Sequence, residues 1–260
     1  MKIKIINPNT TMAMTEGIGA AGRSVARQGT EIQAVSPAFG PDSIESYYDE
    51  YLCVPGVIEE IAKGDREGCD AYIIACYGDP GLHAAREVTT RPVIGIAEAS
   101  FYTASILAAR FSIVTVIPRI RTMLEELVAN YGVGHRIASI RTTPLYVLDI
   151  EKDPAAALET LRAEAKAAMV EDDAEAILLG CAGFAEFADE VEAELGIPVL
   201  DGVVCAVKMA EAVVELGRST SKHKTYRFPE VKSYTGEFAR FGSAPGTAAG
   251  TAPGAVEAAE

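Results

Sequence analysis

Cys76 and Cys181 are the residues whose type and spacing best suit chemistry. Cys76 ends the run Asp70-Ala71-Tyr72-Ile73-Ile74-Ala75-Cys76-Tyr77-Gly78, and Cys181 ends Asp173-Ala174-Glu175-Ala176-Ile177-Leu178-Leu179-Gly180-Cys181-Ala182-Gly183. Each follows an apolar run with strand character and precedes a helix-like segment. The two lie about 105 positions apart, and their surroundings repeat at nearly the same offset. Pro92-Val93-Ile94-Gly95 matches Pro198-Val199-Leu200-Asp201, and Ile3 to Asn9 matches Phe111 to Ile117. A duplicated half-domain that keeps a thiol at the same strand end twice can set two thiols face to face. Opposed thiols suit the removal of a proton from one face of a carbon and its return on the other. A lone free cysteine is more often inert core; two at equivalent repeat positions point to a site. A cysteine opening a helix gains thiolate character from the helix N-terminus. The backbone N–H groups that follow can serve as an oxyanion hole for an enolate, and Gly78, Ala182 and Gly183 keep that approach open.

The other cysteines, Cys53, Cys69 and Cys205, lack repeat partners and read as structural. Cys53 precedes what looks like a helix start at Pro55. The count is odd and no C-x-x-C pair occurs, so neither a disulfide framework nor a zinc knuckle fits. His83, His135 and His223 show no ligand spacing, and no metal site is expected. A net charge of −14 argues against nucleic acid and anionic membrane as partners. No apolar run approaches the ~20 residues that span a bilayer. Met1 to Ile6 reads as a first strand rather than a signal peptide, so a reduced, cytoplasmic protein is expected.

Short apolar runs alternate with helical patterns. Ile3–Ile6, Glu31–Val35, Tyr72–Ala75, Val93–Ile96, Ser112–Ile117, Ile137–Arg141, Ile177–Leu179 and Val199–Leu200 read as strands, several of them continuous β-branched runs suited to burial on both faces. Ile120, Met123, Leu124, Leu127, Val128 and Tyr131 share one helix face. Asp153-Pro154 and Asp79-Pro80 carry the N-cap and first-turn proline of a helix start. The pattern predicts an α/β fold of two pseudo-symmetric lobes, each a mainly parallel sheet flanked by helices, with the active site in the cleft between them. Residues 1–98 with about 205–230 form one expected lobe and 99–204 the other. The basic stretch with Lys222, Lys224 and Arg227 can pack on the body or on a neighbouring subunit, and a homo-oligomer is expected. Residues 242–260 are Gly, Ala, Pro, Ser and Thr with few other types, and read as a disordered tail.

Gly17-Ile18-Gly19-Ala20-Ala21-Gly22 matches G-x-G-x-x-G, but lies inside a helical pattern instead of directly after a strand, so no nucleotide site is expected. Asn9, Cys76, Thr115 and Cys181 fall at carboxyl ends of predicted strands, where ligands bind in such folds. Asn9 offers a donor and an acceptor; its alternative role is helix capping, which Thr10 or Thr11 fills equally well. The loop Phe39–Glu50, with Ser43 and Tyr47, is dense in polar and aromatic groups. It reads either as a lid or wall of the cleft or as a surface turn.

Several stretches resemble the aspartate/glutamate/hydantoin racemase superfamily, and within it the hydantoin racemase branch. They are Ile6-Asn7-Pro8-Asn9-Thr10, Gly40-Pro41-Asp42-Ser43-Ile44-Glu45, Tyr48-Asp49-Glu50, Ala75-Cys76-Tyr77-Gly78-Asp79-Pro80-Gly81, Pro92-Val93-Ile94-Gly95-Ile96 and Leu179-Gly180-Cys181-Ala182-Gly183. The likeness runs from residue 1 to about 230. It implies a two-lobe fold, cofactor-independent racemisation, and Cys76 and Cys181 as the acid–base pair. Amino-acid racemases of this superfamily usually carry Asn-Thr and Thr-His after the two cysteines. Here Tyr77-Gly78 and Ala182-Gly183 make a less polar pocket, better suited to the neutral ring of a 5-substituted hydantoin. Substrate contacts are then expected from Asn9, Thr10, Ser43, Tyr47, Tyr77, Gly78, Asp79, Thr115, Ile117, Ala182 and Gly183. Allantoin, aspartate or glutamate, and maleate cis–trans isomerisation are the alternative enzyme readings. A small-molecule binding protein is the non-enzyme alternative, which would not need paired thiols.

Overall fold

The computed structural model describes residues 1–242; most of the stretch read as a disordered tail, residues 243–260, lies outside the described residues. The eight apolar runs all form strands. β1 (Lys2–Ile6), β2 (Glu31–Val35), β3 (Ala71–Ile74) and β4 (Val93–Gly95) make one parallel sheet in the order β2-β1-β3-β4. The second sheet, from β5 (Phe111–Thr115), β6 (Ile137–Thr142), β7 (Ile177–Leu179) and β8 (Val199–Asp201), repeats it as β6-β5-β7-β8. The inner strands are buried along their length, as their unbroken apolar sequences require.

The crossovers of the first half are α1 (Met12–Val25), α2 (Tyr47–Arg66) and α3 (Leu82–Val88). The G-x-G-x-x-G match lies within α1, where a Cβ on Gly22 would come within 2.6 Å of Ile5 Cδ1. Gly19 and Gly22 let the helix lie close on the sheet, which is a packing role, while Gly17 faces open space. Helix α4 (Ile96–Leu107) joins the halves, followed by α5 (Arg121–Asn130), the short α6 (Asp149–Lys152), α7 (Pro154–Glu171), α8 (Ala188–Leu195) and α9 (Gly202–Glu215). Asp153 caps α7 as expected, accepting from the Ala156 N–H at 3.1 Å.

Two helix starts differ from the sequence reading. Pro55 lies inside α2, which begins eight residues earlier because Ser46 and Asp49 cap it reciprocally: Asp49 N–H donates to Ser46 Oγ at 3.2 Å and Ser46 Oγ donates to Asp49 Oδ2 at 2.7 Å. Asp79-Pro80 does not open α3, which starts at Leu82 after Gly81 in the left-handed region. Asp79 is drawn elsewhere. Its Oδ1 accepts from Ala97 N–H at 3.1 Å and its Oδ2 from Glu98 N–H at 2.9 Å, so it caps α4 from outside that helix. A Cβ on Gly95 would overlap this carboxyl. In the second half the equivalent helix, α9, is capped by Asp201, the residue that matches Gly95 in the repeat, whose Oδ1 accepts from Val204 N–H at 2.8 Å.

Helices α4 and α9 pack on one another, and each touches strands of both sheets. A Cβ on Gly202 would lie 2.7 Å from the Ile96 carbonyl oxygen, so the two helix starts approach backbone to backbone. One continuous apolar core runs through both sheets and this helix pair, which fixes the carboxyl ends of β1, β3, β5 and β7 relative to each other. The basic extension packs on the body. Lys222 Nζ donates to the carbonyls of Arg86, Glu87 and Tyr226 at 2.6, 3.1 and 3.0 Å, closing the C-terminus of α3. Arg240 pairs with Glu59 and stacks on Phe39, 4.7 Å from the ring centre.

Candidate active site

The strand ends converge on one pocket, with Cys76 after β3 and Cys181 after β7 both in its lining. The first half supplies the polar wall: Asn7, Asn9 and Glu50, with Tyr77 and Gly78. The second half supplies Val116, Ile120, Met123, Leu124 and Val147, an apolar wall. Among the described residues no lysine, arginine or histidine lines it, and no cluster of three metal-ligating side chains occurs.

The two cysteine loops are built alike. Asp79 N–H donates to the Cys76 carbonyl at 2.9 Å, and Phe184 N–H donates to the Cys181 carbonyl at 3.1 Å. The Gly78 and Gly183 N–H groups favour the thiolate forms of Cys76 and Cys181. The sequence suggested the N–H groups after each cysteine as holders of an enolate oxygen; the Asp79 and Phe184 N–H groups instead serve the cysteine carbonyls. Nor do the cysteines start long helices: Cys181 precedes a single short 3₁₀ segment, Ala182–Phe187, and Cys76 lies six residues before α3. Burial pushes the Cys181 thiol up to about 12, with the Glu45 and Asp201 carboxyls adding to it and the Gly183 N–H opposing. Burial first, then the charge of Glu50, raises Cys76 well above the usual thiol range. The expected lowering by a helix N-terminus is thus reversed. A helix end contributes ~0.3–1 kcal/mol, whereas full burial shifts a group by up to ~3–5 pKa units, or roughly 4–7 kcal/mol. Both thiols are therefore held in the protonated form.

Among the described residues, Glu50 is the one carboxyl in the lining, and sequence reasoning missed it. It projects from the first turn of α2 onto Gly78, and a Cβ on Gly78 would overlap its carboxyl. Burial, with the Asp79 charge adding, raises it to about 7. The motif Tyr48-Asp49-Glu50 marked the segment, but which of its residues turns inward depends on where α2 starts, which the Pro55 signal concealed. Ile120, Met123 and Leu124 were legible as one apolar helix face; that this face closes the cleft was not.

The remaining expected contacts divide. Asn9, Tyr77, Gly78 and Ala182 line the pocket. Asn9 Oδ1 accepts from Thr11 N–H at 3.0 Å and from Asn7 Nδ2 at 2.7 Å, bracing the turn before α1; the cap position of that helix is Thr11, and no side chain caps it. The Tyr77 hydroxyl points away, sharing a hydrogen bond of 2.8 Å with Ser100. Thr10, Ser43, Tyr47, Asp79, Thr115, Ile117 and Gly183 are not in the lining. Thr10 Oγ1 donates to the Pro41 carbonyl at 3.2 Å. The exposed Tyr47 donates to Glu126 at 2.7 Å, linking α2 to α5. Asp79 is held by α4 and by the Tyr131 hydroxyl, which donates at 2.7 Å. Thr115 Oγ1 donates to the Gly180 carbonyl at 2.7 Å, tying β5 to the second cysteine loop. Ile117 lines a neighbouring depression with Glu45, Asp49 and Arg119. Gly183 packs behind Cys181, where a Cβ would meet Ile150 and Met14 at 3.2 and 3.3 Å. The Phe39–Glu50 loop is a wall, placing Ile44 and Glu50 in the pocket, and Glu45 Oε1 accepts from Val147 N–H across the cleft at 2.7 Å.

Fold and pocket define a class: two-lobed α/β proteins whose site lies between two like halves. The particular family follows from comparison. Residues 3–210 match the Asp/Glu/Hydantoin racemase family model, and the chain belongs to that family. It is 66% identical over 242 residues to a hydantoin racemase of a Pseudomonas species, covering 93% of this chain and 97% of that one. It is 48% identical to the hydantoin racemase of Paenarthrobacter aurescens, over 90% of this chain and all of the relative. The structure of allantoin racemase from Klebsiella pneumoniae superposes with a TM-score of 0.91 at 48% identity, over 92% of this chain and 98% of that one. The protein is an isomerase of the racemase type acting on a small molecule.

Proposed function

We propose that the protein interconverts the enantiomers of 5-substituted hydantoins, with Cys76 and Cys181 exchanging protons with opposite faces of C5. The observation that supports this best is the pairing of two thiols, from matching strand ends, in one pocket whose lining carries no cation. A free amino acid would bring a carboxylate needing a partner, and burying it unpaired is costly. A hydantoin is a neutral ring with N–H and C=O groups for Asn9 and Glu50, and its C5 proton is acidified by the adjacent carbonyl. The apolar wall of Ile120, Met123, Leu124 and Val147 suits an apolar C5 substituent. Allantoin is the second reading, favoured by the likeness to the Klebsiella pneumoniae structure.

In the reaction, the thiolate of one cysteine takes the C5 proton. The C–H bond breaks, an S–H bond forms, and the electron pair passes to the carbonyl oxygen as an enolate. The opposite thiol then protonates the other face and becomes the thiolate. The roles exchange for the other enantiomer. Atoms and charge balance without metal, pyridoxal phosphate or nucleotide, and activity should survive exhaustive EDTA treatment under reducing conditions. The enzyme works as a homo-oligomer in the reducing cytoplasm, where its five free cysteines stay reduced.

Polarimetry of L-5-substituted hydantoin, allantoin and L-glutamate with purified protein tests the substrate. In D₂O, product should carry solvent deuterium at C5 from its first appearance while remaining substrate gains little. Cys76→Ser and Cys181→Ser should each abolish racemisation but slowly exchange C5 hydrogen of opposite enantiomers. Exchange of the same enantiomer by both would exclude opposed thiols.

A further inference from the structure

Burial leaves the site with an unmet electrostatic need. An enolate must form in a pocket whose described lining carries no cation, and two backbone donors of the cysteine loops, the Asp79 and Phe184 N–H groups, are spent on the Cys76 and Cys181 carbonyls. One acidic side chain faces the same space. The Glu50 carboxyl packs on the Cα of Gly78, two residues after Cys76, and lines the same pocket as the thiol, which its charge raises. Among the described residues, no hydrogen bond to the Glu50 side chain is formed.

We propose that Glu50 is a third catalytic residue: as a carboxylic acid it donates a hydrogen bond to the oxygen of the enolate formed when Cys76 removes the C5 proton. The inference rests on the racemisation reading above. In this step the C5–H bond breaks and the Cys76 S–H bond forms. The electron pair moves onto the ring carbonyl oxygen, and Glu50 shares its proton without losing it. Cys181 then delivers its own proton to the other face and the electrons return. A neutral acid stabilises developing negative charge, whereas a carboxylate at that place would oppose it.

The surroundings favour the acid. Asp49 and Cys53 on α2, Glu45 before it, and Cys76 and Asp79 on the first cysteine loop are all acidic or neutral groups; Cys181 faces it across the pocket. Tyr131 and the N–H groups of α4 bind the far side of Asp79. The nearest depression holding a cation, Arg119, also holds Glu45 and Asp49. Burial keeps Glu50 protonated up to about pH 7.

The test compares kcat/KM from about pH 6 to 9 for the native enzyme, Glu50→Gln and Glu50→Leu, with a 5-substituted hydantoin. The active form needs one thiolate and the acid. Above pH ~7 the native enzyme gains thiolate and loses acid at the same rate, so its profile should level off. Glutamine is a neutral donor at every pH, so Glu50→Gln should stay within about tenfold of native at pH 7 and keep rising about tenfold per pH unit. Glu50→Leu should lose roughly 100-fold in kcat, as for loss of an oxyanion donor. The inhibition constant of 5,5-dimethylhydantoin, which has no C5 hydrogen, should change little, showing that the pocket is intact. A native profile that climbs through pH 7–9 in parallel with Glu50→Gln, or a Glu50→Leu enzyme of native rate, overturns the proposal. A native enzyme that racemises no hydantoin overturns the function on which it rests instead.

Discussion

At the residue scale, the two glycines that follow the cysteine loops are not equivalent. A Cβ on Gly78 would fall on the Glu50 carboxyl, whereas one on Gly183 would press on the flexible ends of Ile150 and Met14 and reach the Cys181 sulfur only at an ordinary contact distance of 3.6 Å. Gly78→Ala should therefore displace Glu50 and lower kcat by more than tenfold with the fold kept, and Gly183→Ala should stay within a few-fold of native. Initial rates and near-ultraviolet circular dichroism on both variants check this. Equal rates would show that the Glu50 position is immaterial. Cys53→Ala, Cys69→Ala and Cys205→Ala should racemise normally, although each empties a buried site and should unfold at lower urea concentration. The thiol pair was legible in the sequence because the repeat singled it out. Glu50 was not, because its approach to Cys76 is set by the packing of α2 and by the missing side chain at Gly78, neither of which leaves a local pattern.

At the scale of elements, every strand was legible because buried parallel strands are written as unbroken apolar runs. Helix starts were less so. Asp-Pro is a sound local signal at Asp153, where nothing competes for the carboxyl, and it misleads at Asp79, where α4 and Tyr131 take it. The two helices that pair between the sheets each rely on a buried carboxyl, and burial raises Asp79 to about 7 and Asp201 to about 6. A carboxyl whose folded value lies above its unfolded value of ~4 contributes most below pH ~4, and the contribution is lost as pH rises from the unfolded value to the folded one. The protein should accordingly melt at a lower temperature at pH 8 than at pH 5. Asn caps as well as Asp does, so Asp201→Asn should keep the cap of α9 and remove its share of the difference, about 1.4 kcal/mol, because only about half of the change from a folded value of about 6 falls above pH 5. Calorimetry at the two pH values measures it; an unchanged gap in melting temperature would mean that Asp201 does not titrate in this range.

At the scale of the molecule, the halves are locked by one core, by Tyr47 on Glu126 and by Glu45 on Val147, while the C-terminal extension braces the first half. Lys222 binds three carbonyls at once, closing the end of α3. Lys222→Met should destabilise the protein by about 1–3 kcal/mol through the carbonyls left unpaired, seen as a lower urea midpoint with unchanged kcat. A loss of activity without loss of stability would place the extension in the catalytic cycle instead. The sequence showed that this stretch was basic and irregular. It gave no sign of its partner, because carbonyls at a helix end carry no side-chain signature.

The pocket has one polar wall and one apolar wall, so its two thiols work in different surroundings, one of them beside a carboxyl. Mirror-image molecules have equal free energy in water, and no enzyme can alter that. The Haldane relation then forces kcat/KM to be the same for the D and L substrates, however lopsided the site. The asymmetry can surface only as a compensated difference: the enantiomer held more tightly must turn over more slowly, in the same ratio. Progress curves begun from each pure enantiomer should share one limiting slope at low concentration and separate only as the enzyme saturates.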